Sequence, residues 1–152
     1  MPNPKVLIVD DDDMNVALLE MMLMEEGISR IDTAYDGVKA LELYEDALFE
    51  TPYSAVFLDI TMPGMDGFEV LRRIRRIEEE ADHRTIIIMA TGDTDTETVI
   101  KTTVELDADD HIGKPYSRNE IYDSIVRHGI IASRDSTPKP AIVSDPRFLP
   151  SR

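Results

Sequence analysis

The chain contains no cysteine and no tryptophan in 152 residues. Without cysteine there are no disulfides and no thiolate metal sites, and a cytoplasmic setting is the default expectation. Positive charge is also scarce. Sixteen Lys and Arg stand against 31 Asp and Glu, a net charge of -15, whereas phosphate backbones are gripped by clustered basic residues. Direct nucleic-acid binding is therefore not expected. No apolar run approaches the roughly 18 residues of a membrane span. Residues 1–8 show neither a basic n-region nor a small-residue cleavage site, so neither membrane insertion nor an export signal is expected.

What is present is regular alternation. Short apolar runs at Lys5–Val9, Ile28–Ala34, Ala55–Leu58, Thr85–Ala90 and Ala108–Ile112 are interleaved with helix-period segments at Asp13–Glu26, Gly37–Glu50, Asp66–Glu80, Asp95–Leu106 and Ser117–Ile131. Five β/α units of this kind predict an α/β fold: a doubly wound parallel sheet with five helices on its two faces. The runs VLIV, AVFL and TIIIMA are almost continuously apolar, as suits strands covered on both sides. The length allows one domain, predicted over residues 1–132. Residues 133–152 carry four of the nine prolines, four basic and two acidic side chains. They read as a disordered Pro-rich tail or truncated linker, with docking of Ile142–Val143 or Phe148–Leu149 on a partner as the alternative.

Ligands of open parallel sheets bind beyond the carboxyl ends of the strands, so the residues ending each apolar run belong together. They are Asp10 and Asp11, then Asp59, Thr91 and Lys114. Carboxylates crowded on one rim repel one another unless a cation intervenes. A hard, oxygen-liking divalent ion such as Mg2+ suits them, and Mg2+ readily shares its shell with phosphate oxygens. Phosphoryl transfer asks mainly for a positioned acceptor and for charges facing the equatorial oxygens. Asp59 can be that acceptor, with Mg2+ and Lys114 flanking the phosphoryl group and the Thr91 hydroxyl donating to it. Gly92 leaves room beside Thr91.

The segments VLIVDD, FLDITMPGMDG, MATG and GKP, in this order and at these separations, resemble the receiver domains of two-component response regulators over about residues 4 to 131. The resemblance implies a flavodoxin-like strand order 2-1-3-4-5 and phosphorylation of Asp59. It implies Asp11, Asp59 and the Thr61 backbone carbonyl as Mg2+ ligands, Asp10 acting largely through water, Thr91 as switch hydroxyl and Lys114 as phosphoryl partner. It also implies a cis bond at Lys114–Pro115, and Thr61 and Asp93 as positions that tune hydrolysis. The donor would be a phosphohistidine of a histidine kinase or phosphotransfer protein, and the output protein contacts, in a stand-alone regulator or the receiver of a hybrid histidine kinase. A homodimer through the fourth helix, fifth strand and fifth helix is a further possibility. Uptake and loss of the phosphoryl group on Asp59 would be autocatalysed, so the chain is not read as an enzyme.

Two positions depart from the pattern. His111 stands where the family usually has Tyr or Phe, so it is either a plain histidine or a smaller, titratable switch. Asp107 stands where a glycine is common before the fifth strand, and the loop there is expected to be strained or reshaped. In the first helix Asn15, Leu18, Leu19, Met22 and Leu23 form a core stripe. Met14, Ala17 and Met21 beside it suggest either a broad buried helix or a Met-rich docking patch for a donor helix. Asp13 is expected to cap that helix. His83 and His128 have no companion ligands. The Thr- and Val-rich segment DTETVIKTTVEL predicts a marginal fourth helix that responds to phosphorylation. The rival from another class is a haloacid-dehalogenase-like Mg2+-dependent phosphatase using Asp10 or Asp11; it leaves Asp59 and its MPGMDG loop unexplained.

Overall fold

The computed structural model describes residues 3–92, 97, 101 and 105–134. Five strands, β1 (Lys5–Val9), β2 (Arg30–Ala34), β3 (Ala55–Asp59), β4 (Ile86–Thr91) and β5 (Asp110–Gly113), form one sheet of order β2-β1-β3-β4-β5. Every neighbouring pair is parallel. The described helices are α1 (Asp13–Glu25), α2 (Gly37–Leu48), α3 (Gly67–Ala81) and α4 (Arg118–Arg127). That is four helices where five were expected. Most of the Asp95–Leu106 segment, and with it the marginal-helix expectation, lies outside the described residues, as do residues 135–152.

Alternation along the strands separates two cores, because successive side chains point to opposite faces. Leu7, Val9, Val56, Leu58, Ile87 and Met89 face α2 and α3, where Ala40, Leu41, Tyr44, Val70, Leu71 and Ile74 bury against them. Val6, Ile8, Phe57, Ile88, Ala90 and Ile112 face Val16, Leu19 and Leu23 of α1 and Ile121 and Ile125 of α4. Both faces of the sheet are thus sealed, and polar chemistry is confined to its edges.

Side-chain oxygens start the helices. Asp36, Asp66 and Ser117 cap α2, α3 and α4, each accepting from a backbone N–H three residues on. In α1 the cap is Asp12, which accepts from the N–H groups of Met14 and Asn15. This corrects the expectation for Asp13, whose backbone is already helical. After α1, Gly27 adopts a φ of 92°, open to glycine without a Cβ penalty, and the Ile28 N–H closes back on the Leu23 carbonyl. The buried stripe of α1 is Val16, Leu19, Met22 and Leu23. Met14, Met21 and Met24 are exposed at 81%, 45% and 59%, so the helix is not buried broadly; the methionines face out.

At the amino edge of β4 a second constraint holds the sheet to α3. Arg75 donates to Glu78 Oε1 (2.6 Å), the Thr85 carbonyl (2.8 Å), Asp109 Oδ2 (2.7 Å) and the Asp107 carbonyl (2.9 Å). Glu78 Oε2 accepts from Tyr44 and from the Thr85 N–H, and the His83 ring sits 3.0 Å from Thr85 Oγ1. Asp107 has a φ of 62°, which a non-glycine residue adopts at a cost. It is held there by Arg75 on its carbonyl and Arg84 on its carboxylate, so the backbone takes the left-handed conformation that glycine favours. Arg75→Met should destabilise the protein by about 3–5 kcal/mol in urea unfolding, because Glu78 would remain buried without its cation while Asp109 keeps only Arg84. Arg75→Lys should recover only part, lacking the planar fork. A loss under about 1 kcal/mol would put this network outside the terms that hold the fold.

Candidate functional site

The carboxyl edge of the sheet gathers the residues that end each strand. β1 runs into Asp10, whose backbone N–H bonds to the Ala34 carbonyl and whose Oδ1 accepts from the Asp12 N–H at 2.9 Å. β3 ends on Asp59, anchored by the Ile60 N–H on the Ala90 carbonyl. β4 ends on Thr91, and the Lys114 N–H bonds to the Thr91 carbonyl. Lys114–Pro115 is cis, as the resemblance implied. Asp10, Asp11, Asp12, Asn15, Asp59, Thr61, Thr91, Gly92 and Lys114 together line a cavity of about 450 Å³. Asp10, Asp11, Asp59, Thr61, Thr91 and Lys114, expected from the sequence, are all at this rim, while Asp93 lies outside the described residues.

Gly67 sets how closely the rim is packed. A Cβ there would stand 2.2 Å from the Asp59 carbonyl oxygen and 2.7 Å from Ile60 Cα, so only glycine lets the start of α3 lie against the end of β3. The Gly67 N–H bonds to the Ile60 carbonyl at 2.9 Å, closing the loop that carries Thr61.

One ammonium serves two buried carboxylates. Lys114 Nζ lies 2.9 Å from Asp10 Oδ2 and 3.0 Å from Asp59 Oδ1, while Asp10 and Asp59 are 1% and 4% exposed. The geometry at Asp10 is poor: Oδ2 receives no well-directed hydrogen bond despite the ion-pair distance. Burial raises the Asp59 pKa to about 6 and the charge of Asp10 adds to the rise, against Lys114 and the Thr61 N–H, which favour the anion. Burial would depress the Lys114 ammonium, but hydrogen bonds and charges from Asp10 and Asp59 outweigh it and hold the lysine above its usual range. Lys114 thus stays a cation, yet one positive charge does not neutralise this rim.

The donor set fits a hard divalent cation. Asp10, Asp11 and Asp59 each offer an oxygen within 4.8 Å of the others, and a second cationic centre would relieve both the raised Asp59 and the poorly satisfied Asp10 oxygen. Oxygen donors with no nitrogen or sulfur among them exclude a soft-metal preference.

Two residues that bear on the site were not read from the sequence as such. Asn15 was placed in the core stripe of α1, but it lines the cavity: the first turn of a helix that starts directly after a strand end projects back over that end. Tyr116 is buried in the core under α1 and α4, and burial, with the negative charges of Asp10, Asp59 and Asp12 reaching it, pushes its hydroxyl pKa up. Its position two residues beyond Lys114 was the available signal. His111, by contrast, lines a separate depression on β5 and α4 with Asp110, Ser124 and Arg127. Burial lowers its pKa against the opposing charge of Asp110, so it is a neutral imidazole near pH 7. His128 belongs to the same polar cluster, 3.1 Å from Asp110 Oδ2.

Among the described residues no helix is long and apolar enough to cross a membrane. Residues 6–126 match the response regulator receiver domain family. Hybrid signal transduction histidine kinase L of Dictyostelium discoideum is 38% identical over 126 residues, covering 82% of this chain but 7% of that protein's length. The receiver domain of the histidine kinase CKI1 from Arabidopsis thaliana, solved as a complex with Mg2+, superposes with a TM-score of 0.74 at 29% identity, over 82% of this chain and 90% of that one. The Vibrio cholerae chemotaxis protein CheY4 gives 0.72 at 26% identity, over 82% and 98%. Sequence match, strand order and the strand-end carboxylates agree, and the chain belongs to the response regulator receiver domain family.

Proposed function

We propose that Asp59 is the phosphoacceptor of this receiver, charged by a phosphohistidine of a histidine kinase or phosphotransfer protein on the cytoplasmic side. The observation that carries the reading is the buried Asp59 carboxylate at the end of β3 with the Lys114 ammonium 3.0 Å away. Lys114 and the Thr61 N–H both engage Oδ1, and we assign the attack to Oδ2. A P–O bond forms there as the P–N bond of the phosphoimidazole breaks, and the leaving nitrogen keeps the electron pair and takes a proton from solvent. Lys114 then faces a phosphoryl oxygen, and the Thr91 hydroxyl, at the end of the neighbouring strand, donates to another. Asp10, Asp11, Asp59 and the Thr61 carbonyl would hold Mg2+, which when bound supplies the positive charge that lets the carboxylates and an incoming phosphoryl group share the rim. The chain changes state and is recycled; its role is signalling.

Incubation with a small-molecule phosphodonor and Mg2+ should add one phosphoryl mass, mapped by peptide mass spectrometry to Asp59, and Asp59→Asn should abolish it. Labelling that persists in Asp59→Asn and moves to Asp10 or Asp11 would instead favour the dehalogenase-like phosphatase.

The raised Asp59 pKa also predicts a stability effect. The folded state binds this proton up to about pH 6 and the unfolded chain releases it near 4, so the native state holds more protons between those values. Stability without metal should rise as pH falls from 7 towards 4. Asp59→Asn should remove that slope and, at pH 7.5 in EDTA, stabilise the protein by about 1–3 kcal/mol. Saturating Mg2+ should raise the wild-type Tm and narrow this difference. Thermal unfolding in EDTA and in Mg2+ checks both; a less stable Asp59→Asn and no Mg2+ response would remove the crowding argument.

A further inference from the structure

Met21 and Met24 are exposed on a shallow, open groove along the outer face of α1, beside Ala17, Glu20 and Glu25. Apolar surface of this kind on a helix face signals an occupant, and methionine adapts to irregular ones. The chain itself comes back to this groove. Arg134, the last described residue, makes a bidentate ion pair with Glu26 at the C-terminal end of α1 (2.6 and 2.5 Å). Its guanidinium stacks on Tyr122 of α4 at 4.0 Å, and its backbone N–H donates to the Tyr122 hydroxyl at 2.7 Å. Arg118 of α4 pairs with Glu25 beside it. The chain past residue 134 therefore leaves from the C-terminal end of α1, within two helical turns of Met24 and Met21.

Residues 136–152 hold three basic side chains and one acidic, with the apolar pairs Ile142–Val143 and Phe148–Leu149 set among them. The groove carries the opposite charge at Glu20, the Glu25 carboxylate being met already by Arg118. Ile142 is eight residues beyond Arg134, a reach of up to roughly 26 Å in extended chain. The whole of α1, thirteen residues, is roughly 20 Å long, so the tether is long enough without slack to spare.

We propose that this groove is a docking site for the chain's own segment Lys139–Leu149, with the apolar Ile142 and Val143 against Met21 and Met24 and the positive charge of Lys139 and Arg147 drawn to Glu20. Met14, a full two turns nearer the strand-end rim, stays outside the covered area. Docking would compete with any protein donor that approaches along α1 while leaving Asp59 open to small donors. That consequence rests on the function proposed above; the docking does not.

The test reads docking alone, by hydrogen peroxide oxidation of the full 152-residue chain with site-resolved mass spectrometry of Met14, Met21 and Met24. Relative to Met14, Met21 and Met24 should oxidise at least about fivefold more slowly in the wild type than in the tail variant Ile142→Asp/Val143→Asp, as a mostly docked segment requires. The charge variant Lys139→Glu/Arg147→Glu should show an intermediate rate, and added salt should move the wild type towards it. Equal relative rates in wild type and Ile142→Asp/Val143→Asp would overturn the proposal. So would protection that grows with protein concentration, which would make the occupant a second copy, or protection that appears only when a phosphotransfer protein is added.

Discussion

The ammonium of Lys114 between Asp10 and Asp59 is the interaction on which the site depends. Two buried carboxylates cannot both be comfortable as anions beside a single cation, and the elevated Asp59 shows the imbalance. The same imbalance suits the rim to the proposed role: a divalent cation would relieve it, and a phosphoryl group on Asp59 would give Lys114 oxygens to meet. A rim with fully balanced charge would have less to gain from either. The family membership and the electrostatics thus point the same way from independent observations.

The surrounding fold keeps this imbalance in place. Sealing of the sheet by α2 and α3 on one face and α1 and α4 on the other leaves the strand ends as the place where polar side chains converge. Gly67 lets α3 start against the Asp59 backbone, so the acceptor cannot retreat from the rim without moving a helix. At the opposite edge, Arg75 joins α3 to β4 and to the turn before β5 through Glu78, Thr85 and Asp109. Lys114 is carried by β5, so the geometry of that turn bears on the distance between lysine and acceptor. The two ends of the sheet are coupled through the strands they share.

The α1 helix has two characters. Val16, Leu19 and Leu23 bind it to the sheet, whereas Met14, Met21 and Met24 look outward between Glu20 and Glu25. Arg134, where the described chain ends, is paired with Glu26 at the C-terminal end of that same helix. A helix that begins at the acidic rim and ends at the tether is well placed to link the tail to access at Asp59.

Much was legible in the sequence because its signals are local or periodic. Apolar runs alternating with helix-period segments specified five strands and their parallel arrangement, and strand-end position alone singled out Asp10, Asp11, Asp59, Thr91 and Lys114. What the sequence left open depends on distances between residues far apart in the chain. The sharing of Lys114 by two carboxylates, the reach of Asn15 into the cavity and the outward turn of Met14, Met21 and Met24 follow from how helices sit on the sheet. The cap of α1 shifted to Asp12 for a similar reason: several acidic residues in a row can each cap, and only the direction in which the chain leaves β1 selects one. Periodicity determines which elements form; their packing decides which charges meet, since Coulomb energy depends on separations and burial that a one-dimensional pattern does not contain.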